Sequence, residues 1–146
     1  MDTAYKTTLE LDKVLNRAVQ LCACQETKEM MQALEPAPTI EDERYDLAQT
    51  NAINALLIKN GSPRFGSVRE VRRIVAHARK GGILSMGELL EIAATLRNFS
   101  GLSQWYGLSE HEMLPTDDLF FSLAPQPVLE KQISESILSP EEMADT

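Results

Sequence analysis

The sequence GSPRFGSVREVRRIVAHARKGGILSMGELL, residues 61–90, decides how the rest of the chain is organised. It contains a short connector with a proline, an arginine-rich stretch, a double glycine and the start of a longer apolar pattern. A serine followed three residues later by a glutamate forms a capping box, in which the two residues satisfy each other's backbone N–H groups at a helix start. Since glycine readily ends a helix, the segment predicts two capped helices separated by the double glycine. The capping-box pairs are Ser67 with Glu70 and Ser85 with Glu88.

On both sides of this segment apolar residues recur every three or four positions, which is the spacing of an amphipathic helix. Proline, glycine and capping residues mark where these patterns begin and end. No run of alternating apolar and polar residues with hairpin turns competes with them. We therefore predict an all-α fold, an irregular multi-helix bundle of about seven helices. The predicted helices cover residues 8–22, 25–35, 39–60, 67–80, 85–106, 116–123 and 127–137.

The same patterns predict caps and buried faces for individual helices. Thr8, Thr39 and Thr116 are the expected N-terminal caps, because a threonine side chain can accept a hydrogen bond from the first backbone N–H groups of a helix. The expected buried faces are Leu47, Ala48, Ala52, Ala55 and Leu56 in the third helix, and Val71, Ile74, Val75 and Ala78 in the fourth.

The end of the chain carries a further helix signal. Ser139-Pro140-Glu141-Glu142 has the spacing of a capping box, with proline at its favoured first helical position. Because the sequence stops four residues later, we interpret residues 1–146 as a single N-terminal helical domain that is truncated at its C-terminal end.

Charge is distributed unevenly along the chain. Its net charge is −8, yet six of the fourteen Lys and Arg residues lie between positions 64 and 80, where Glu70 is the one acidic residue. That segment carries about +5, so the remainder carries about −13. The overall acidity argues against nucleic-acid binding by the whole surface, and any such contact must therefore use this basic patch.

Location and thiol chemistry follow from what the sequence lacks. It has no N-terminal signal pattern and no apolar run near the length of a membrane span, so we expect a cytoplasmic protein without a membrane partner. Cys22 and Cys24 are expected to be reduced thiols, with Cys22 in the core.

Few residues are suited to catalysis. His111 lies between two glutamates, but no second His or Cys stands at ligand spacing, so a metal site is not expected. His77 is expected to be a solvated or partly buried helix residue. Residues 61–66 lack the sequence of a phosphate-binding loop, and the acidic clusters fall at predicted helix starts, where the helix dipole explains them. We expect no catalytic, cofactor-binding or metal-binding residue in the chain.

The basic patch has two explanations. Arg69, Arg72 and Arg73 share one face of an ideal helix, where arginines are often simply solvated or paired with neighbouring carboxylates. Alternatively the patch contacts phosphates or docks another domain, since the planar guanidinium binds phosphate or carboxylate through two hydrogen bonds. The candidate nucleic-acid-binding residues are Arg64, Arg69, Arg72, Arg73, Arg79 and Lys80.

The order and spacing of several short motifs resemble the N-terminal region of a bacterial MutS-family protein. The resemblance covers essentially the whole chain and is to the "MutS-two" branch, which is associated with suppressing recombination. Arg64, Cys22 and Cys24 depart from the family pattern. The matching motifs are TLELDKVL at 8–15, LEP at 34–36, QT at 49–50, GSP at 61–63, FG at 65–66, VREV at 68–71, KGGILS at 80–85 and ELL at 88–90.

The resemblance implies a helical core and lever region that precedes a DNA clamp, a dimerising ATPase and an Smr endonuclease domain. The parent is implied to be a homodimer that uses ATP and Mg²⁺ and binds branched DNA, or rRNA in collided ribosomes. None of those catalytic motifs lies in these 146 residues, nor does the mismatch-reading module of repair-type relatives.

We therefore expect a non-catalytic helical domain that acts as a structural lever, coupling the state of the parent's ATPase to its grip on DNA. The parent would suppress recombination, act in DNA repair or rescue ribosomes. The alternative is a protein-interaction or dimerisation scaffold, which uses the basic face for docking and makes no direct nucleic-acid contact.

Overall fold

The structure, a computed structural model, describes residues 9–64, 69–108, 110–140 and 142–143. Within these residues it contains seven α-helices and one short antiparallel hairpin, which confirms the predicted all-α fold. The helices are α1 (Leu11–Leu21), α2 (Gln25–Gln32), α3 (Ile40–Asn60), α4 (Arg72–Arg79), α5 (Met86–Tyr106), α6 (Asp117–Phe121) and α7 (Pro127–Ser136), and the strands are β1 (Ile137–Ser139) and β2 (Glu142–Met143).

The chain divides into two compact units, Met1–Pro36 and Ala37–Thr146. In the first unit α1 and α2 pack against each other, and no residue of either helix is fully buried. Cys22, the expected core residue, is half-buried, and its thiol donates to the carbonyl of Ala18 at 3.4 Å. Cys22 and Cys24 are both free thiols. That the whole chain forms a single domain stays a prediction.

Two of the predicted caps are present in the second unit. At the start of α5 the N–H of Ser85 donates to Glu88 Oε2 at 2.8 Å, and the N–H of Glu88 donates to Ser85 Oγ at 3.3 Å. At the start of α3 the N–H of Asp42 donates to Thr39 Oγ1 at 3.1 Å. Both caps satisfy N–H groups that have no partner inside their helix, so these two helix starts are confirmed.

The first half of α5 packs against α7 and β1 through a group of apolar residues that we call the N-terminal cluster. An ionic contact lies on the surface of this cluster. Arg97 Nε donates to Glu130 Oε1 at 3.0 Å, and Arg97 Nη2 donates to Ser134 Oγ at 3.1 Å. Because exposed ion pairs contribute little, the buried side chains hold these elements together. The N-terminal cluster consists of Ala93, Ile133 and Ile137, with Met86, Leu89, Leu90 and Ile92 packed against them.

The last turn of α5 packs against α3 and α6 through the C-terminal cluster. Trp105 and Tyr106 are 6% and 3% exposed, and the ring of Tyr106 stacks on Phe120 with centroids 3.9 Å apart. One helix therefore belongs to both apolar clusters of the second unit. The C-terminal cluster consists of Leu56, Trp105 and Tyr106, with Ile53, Leu57, Leu114 and Phe120 packed against them.

The polar atoms of Trp105 attach the end of α3 to the end of α5. Its indole N–H donates to the carbonyl of Gly61 at 2.8 Å, and its own carbonyl accepts from Asn60 Nδ2 at 3.2 Å. Gly61 has φ 72° and ψ 179°, a conformation that essentially only glycine adopts. The predicted stop at Asn60-Gly61 is therefore confirmed.

A buried hydrogen-bond network surrounds Tyr106. Its hydroxyl donates to Asp117 Oδ1 at 2.7 Å. The same hydroxyl oxygen therefore accepts a hydrogen bond from the hydroxyl of Thr116, whose Oγ1 lies 2.7 Å away. Asp117 Oδ2 accepts from the N–H of Leu114 at 3.1 Å. Thr116, which is 0% exposed, was expected to cap α6 with its side chain; that expectation is wrong, because its hydroxyl bonds to Tyr106 instead.

The predicted buried face of α3 is wrong for most of its members. Leu56 is buried and Ala52 is half-buried, but Leu47, Ala48 and Ala55 are exposed. Helix α3 carries apolar side chains on both faces, so periodicity alone does not choose between them. The face that contains Leu56 is the buried one, because it packs against Trp105 and Tyr106 at the end of α5.

Helix α4 is shorter than predicted. It begins at Arg72, its N-cap residue Val71 makes no side-chain cap bond, and Glu70 precedes it. Ile74 is its one fully buried residue, whereas Val75 and Ala78 are exposed, so the predicted inner face is wrong. A helix of two turns has room for about one such anchor. The predicted caps Thr8 and Ser67 lie outside the described residues.

The predicted helix start at Ser139 is also wrong. Ile137 pairs with Met143 and Ser139 with Glu142 in an antiparallel hairpin, and Glu141 lies outside the described residues. Residues three apart are neighbours at the ends of a tight turn as well as in a capping box, and proline is common inside such turns. The serine–glutamate spacing therefore fits both structures. The preceding helix α7, with Pro127 at its start, is confirmed.

In the described residues, none of the helices combines the length and the apolarity that crossing a lipid bilayer requires.

Two glycine substitutions separate backbone conformation from packing. A Cβ atom at Gly101, inside α5, or at Gly61 would meet nothing within 4 Å. We expect Gly101→Ala to raise the free energy of unfolding by about 1 kcal/mol, because alanine favours the helix. Gly61→Ala should lower it by about 1–3 kcal/mol, because alanine is strained at this φ. Urea unfolding of both variants checks this, and equal effects of the two would contradict it.

The Tyr106 network has a measurable energetic and pH signature. Tyr106→Phe should lower the free energy of unfolding by about 1–3 kcal/mol, because the buried Thr116 hydroxyl loses its partner. The pKa of Tyr106 is raised to about 12, mainly because its side chain is buried. The folded state thus favours the neutral phenol, and this stabilisation is present below about pH 10 and is lost as the pH rises through 12.

Urea unfolding between pH 8 and 12, followed alongside tyrosinate absorbance, measures this dependence. Tyr106→Phe should flatten it, whereas Tyr45→Phe, which removes an exposed hydroxyl that donates to the Pro115 carbonyl, should keep it. An alkaline profile that is the same in all three proteins would contradict the assignment.

Candidate functional site

All six predicted basic residues are exposed, and they lie along residues 64–80, of which 65–68 are outside the described part. They follow one another along a connector and a two-turn helix rather than surrounding a closed pocket. Arg64 follows the end of α3, Arg69 precedes α4, Arg72 and Arg73 begin that helix, Arg79 is its last residue and Lys80 is its C-cap.

Ile74 orients α4, because it is 8% exposed and the rest of the helix is not buried. Successive residues of an α-helix are about 100° apart, so Arg72, Ala76 and Arg79 lie opposite Ile74, and Lys80 continues the same side. We call Arg72, Ala76, Arg79 and Lys80 the basic face. At about 1.5 Å of rise per residue, its two arginines lie about 10 Å apart along the axis.

The basic face differs from the one predicted from the sequence. Arg69 precedes the helix and Arg73 lies about a quarter of a turn away from Arg72, so the expectation that Arg69, Arg72 and Arg73 share one helix face is wrong. The later start of α4 is the reason. Ala76, Arg79 and Lys80 line a shallow depression of about 300 Å³.

The double glycine ends α4 in a Schellman motif. The N–H of Gly81 donates to the carbonyl of Ala78 at 2.9 Å, and that of Gly82 donates to the carbonyl of His77 at 3.1 Å. Gly81 has φ 81°, the left-handed conformation that this motif requires. The predicted stop at Gly81-Gly82 is confirmed, and it fixes where Arg79 and Lys80 leave the helix.

His77 packs against this turn and lies close to the start of α5. A Cβ atom on Gly82 would lie 2.2 Å from His77 Nε2, so the imidazole ring lies directly against the glycine. The backbone N–H and the hydroxyl of Ser85 hold the pKa of the Glu88 carboxyl below its usual range, and His77 adds a smaller electrostatic contribution. His77 is exposed, as a solvated helix histidine would be.

Ion pairs in the described part of the chain leave three of the basic residues without an acidic partner. They include Lys13 with Glu10, Arg97 with Glu130 and Lys131 with Glu135. None of them includes Arg73, Arg79 or Lys80. Pairing with neighbouring carboxylates therefore does not account for these three side chains, which are exposed as simply solvated side chains would also be.

The helix dipole acts in opposite directions at the two ends of α4. The N-terminus of a helix carries a partial positive charge, so Arg72 and Arg73 in the first turn are unfavourably placed. Arg79 and Lys80 lie at the negative C-terminal end, where cations are favoured. Two of the four charges on the helix and its C-cap are therefore placed at a cost to its stability.

The other residues considered from the sequence do not form a site. His111 Nδ1 lies 3.1 Å from the carbonyl of Glu112, and its ring contacts the edge of Tyr106 with centroids 4.8 Å apart. In the described ranges, no three His, Cys, Asp or Glu side chains are close enough to hold a metal ion together.

Sequence patterns gave no indication of a groove of about 520 Å³ between α3 and α6. Its wall is tied to the loop before α6 by Gln49, whose Nε2 donates to the carbonyl of Pro115 at 2.9 Å. Nothing in the local spacing signals this long-range contact. The lining residues are Gln49, Thr50, Asn51, Ile53, Asn54, Leu57, Thr116 and Leu119.

Comparison with known proteins identifies relatives along nearly the whole chain. Proteins named endonuclease MutS2 from Clostridium beijerinckii and Lachnospira eligens are 27% and 28% identical to it over 139 and 145 residues, which is 94% and 99% of this chain. The protein of the same name from Ruminiclostridium cellulolyticum is 30% identical over 147 residues, 99% of this chain. No family model matches the sequence, and no solved structure matches it.

The similarity to these proteins shows that the chain is related to the MutS family. Within that family it is related to the MutS2 endonucleases, which confirms the resemblance seen in the short motifs. The chain spans 18–19% of the length of these three relatives.

A matched pair of charge reversals tests how the basic residues are positioned relative to the helix dipole of α4. Arg73→Glu should raise the free energy of unfolding by about 0.3–1 kcal/mol at low salt, because it puts a negative charge at the helix N-terminus. Arg79→Glu should lower it by a similar amount, because the same change falls at the C-terminus. Urea unfolding at 20 mM and 1 M NaCl measures both effects, and opposite signs that vanish at high salt are expected.

Proposed function

We propose that the chain is the N-terminal, non-catalytic helical domain of a MutS-family DNA-binding ATPase and endonuclease, and that it acts there as a structural lever. The observation that carries this proposal is the double role of α5. Its first half packs in the N-terminal cluster and its last turn packs in the C-terminal cluster, so the two clusters share one continuous helix.

The length and the ends of α5 support a mechanical role. Its 21 residues give a rod of about 30 Å. The capping box of Ser85 and Glu88 satisfies its first turn, and the bonds of Trp105 and Tyr106 fix its last one. Because packed helices move as units rather than deforming continuously, a displacement imposed at one cluster would be transmitted to the other.

The catalytic functions would lie in the rest of the parent protein. We propose that the parent binds ATP and Mg²⁺ outside this chain, forms a homodimer and acts in the cytoplasm on branched DNA or on rRNA in collided ribosomes. It would thereby suppress recombination, act in DNA repair or rescue ribosomes. The name endonuclease carried by the relatives, and the small share of their length that this chain spans, support placing these activities elsewhere.

An interaction or dimerisation scaffold is the second candidate, and the outer face of α3 favours it. Ile40, Leu47 and Ile58 fall on one side of that helix and are 62%, 53% and 80% exposed. Such a row of large apolar side chains is typical of a surface that another protein covers. Sedimentation of the chain and of Leu47→Glu would detect self-association that depends on this face.

The lever proposal is tested by softening α5 between the two clusters in the full-length protein. Gln104→Gly places a second glycine near Gly101, in the exposed part of α5 that precedes Trp105. Gln132→Gly, at an exposed position of α7, removes the same side chain at a similar cost of about 1 kcal/mol. We expect Gln104→Gly to lower the stimulation of ATP hydrolysis by branched DNA several-fold, and Gln132→Gly to leave it unchanged.

The measurement is the ratio of the ATPase rates with and without DNA, with melting curves to confirm that both variants are folded. Equal ratios in both variants would contradict the lever. A full-length sequence without a phosphate-binding loop after these residues would contradict the whole assignment.

A further inference from the structure

We propose that the basic face of α4 binds the phosphate backbone of duplex nucleic acid directly, without reading base sequence. This is a property of the 146-residue chain itself, and it does not depend on the lever role or on any clamp in the parent protein.

Two of the three cations of the basic face, Arg79 and Lys80, have no acidic partner in the described part of the chain. Arg79 and Lys80 belong to no ion pair there, although the chain has 22 acidic residues. Glu88, the acidic residue that follows them most closely in sequence, is engaged by the N–H and the hydroxyl of Ser85. The cations are therefore available to an external anion.

The position of the charges points to binding rather than to stability. Arg72 and Arg73 oppose the helix dipole, so they weaken the helix that carries them. Ile74 is the single buried anchor of that helix and fixes which side faces outward. Charges that an anchor holds outward, one of them at a cost to the helix, have the arrangement of a recognition surface.

The shape and chemistry of the face favour a phosphate backbone. Ala76 is the smallest side chain in the row, and together with Arg79 and Lys80 it lines a depression of about 300 Å³, which has room for a phosphate group. Guanidinium and ammonium groups are the side chains that bind phosphate most readily. With cations spread over about 10 Å of helix, the face can follow successive phosphates.

The composition of the segment argues against two other ligands. Residues 69–82 contain no Phe, Tyr or Trp, so the basic face offers no aromatic platform on which the bases of a single strand could stack. Within the basic face Ala76 is the one apolar side chain, whereas protein interfaces depend on large apolar or aromatic anchors. A duplex read through its backbone needs neither.

Fluorescence anisotropy with a labelled DNA duplex tests the proposal on the 146-residue chain. If the three cations of the basic face contact phosphates, the slope of log affinity against log salt is about −2.7, and affinity falls roughly 40-fold between 50 and 200 mM NaCl. The double variant Arg79→Gln with Lys80→Gln should reduce the slope to about −1 and that loss to roughly fourfold. Duplexes of unrelated sequence should bind equally.

The matched control is Arg17→Gln with Lys131→Gln, which changes the net charge equally at exposed positions outside the segment. We expect it to keep the slope, and Arg79→Lys to keep it as well. Unchanged melting temperatures would show that the variants are folded. Absence of binding at 20 mM NaCl, or an equal loss of slope in the control, would overturn the proposal. So would a polyglutamate peptide of matched charge that binds as tightly as the duplex, which would assign the face to an acidic protein.

Discussion

The burial of Trp105 and Tyr106 at the last turn of α5 is the interaction on which the rest of the second unit depends. Burying a large aromatic side chain contributes roughly 1.5–3 kcal/mol, provided that its polar atom finds a partner. Here the indole bonds to Gly61 and the phenol bonds to Thr116 and Asp117. These bonds bring the end of α3 and the start of α6 to the same place, while the first half of α5 packs against α7 through the separate N-terminal cluster.

The segment that carries the basic face is connected to this arrangement only at its two ends. Trp105 holds the carbonyl of Gly61 before the segment, and the capping box at Ser85 follows it. Between these two points α4 contributes one buried side chain, Ile74. A surface that is fixed at its ends and weakly packed in the middle can carry uncompensated charge, because the clusters that stabilise the unit do not include it. Stability and recognition are thus assigned to different stretches of the chain.

Features that depend on neighbouring residues could be predicted from the sequence, whereas features that depend on distant ones could not. The caps of α3 and α5 and the stop at Gly81 rest on local hydrogen bonds, the stop at Gly61 rests on the local backbone conformation of a glycine, and all four are present. The buried face of α3 depends on which side meets Trp105, and the role of Thr116 depends on Tyr106, so no local pattern reveals them. For the candidate site, composition predicted the basic segment and the exposure of its side chains, but the true start of α4 decides which of them share a face.

Gly61 lies at the C-terminal end of α5 and Ser85 at its N-terminal end, so the intervening segment joins two points about 30 Å apart. Even with α4 formed, a chain of this many residues can reach roughly twice that far when extended. The segment therefore has contour length to spare. Insertions, deletions and changes of charge within it would place no strain on either apolar cluster, since neither cluster sets its length.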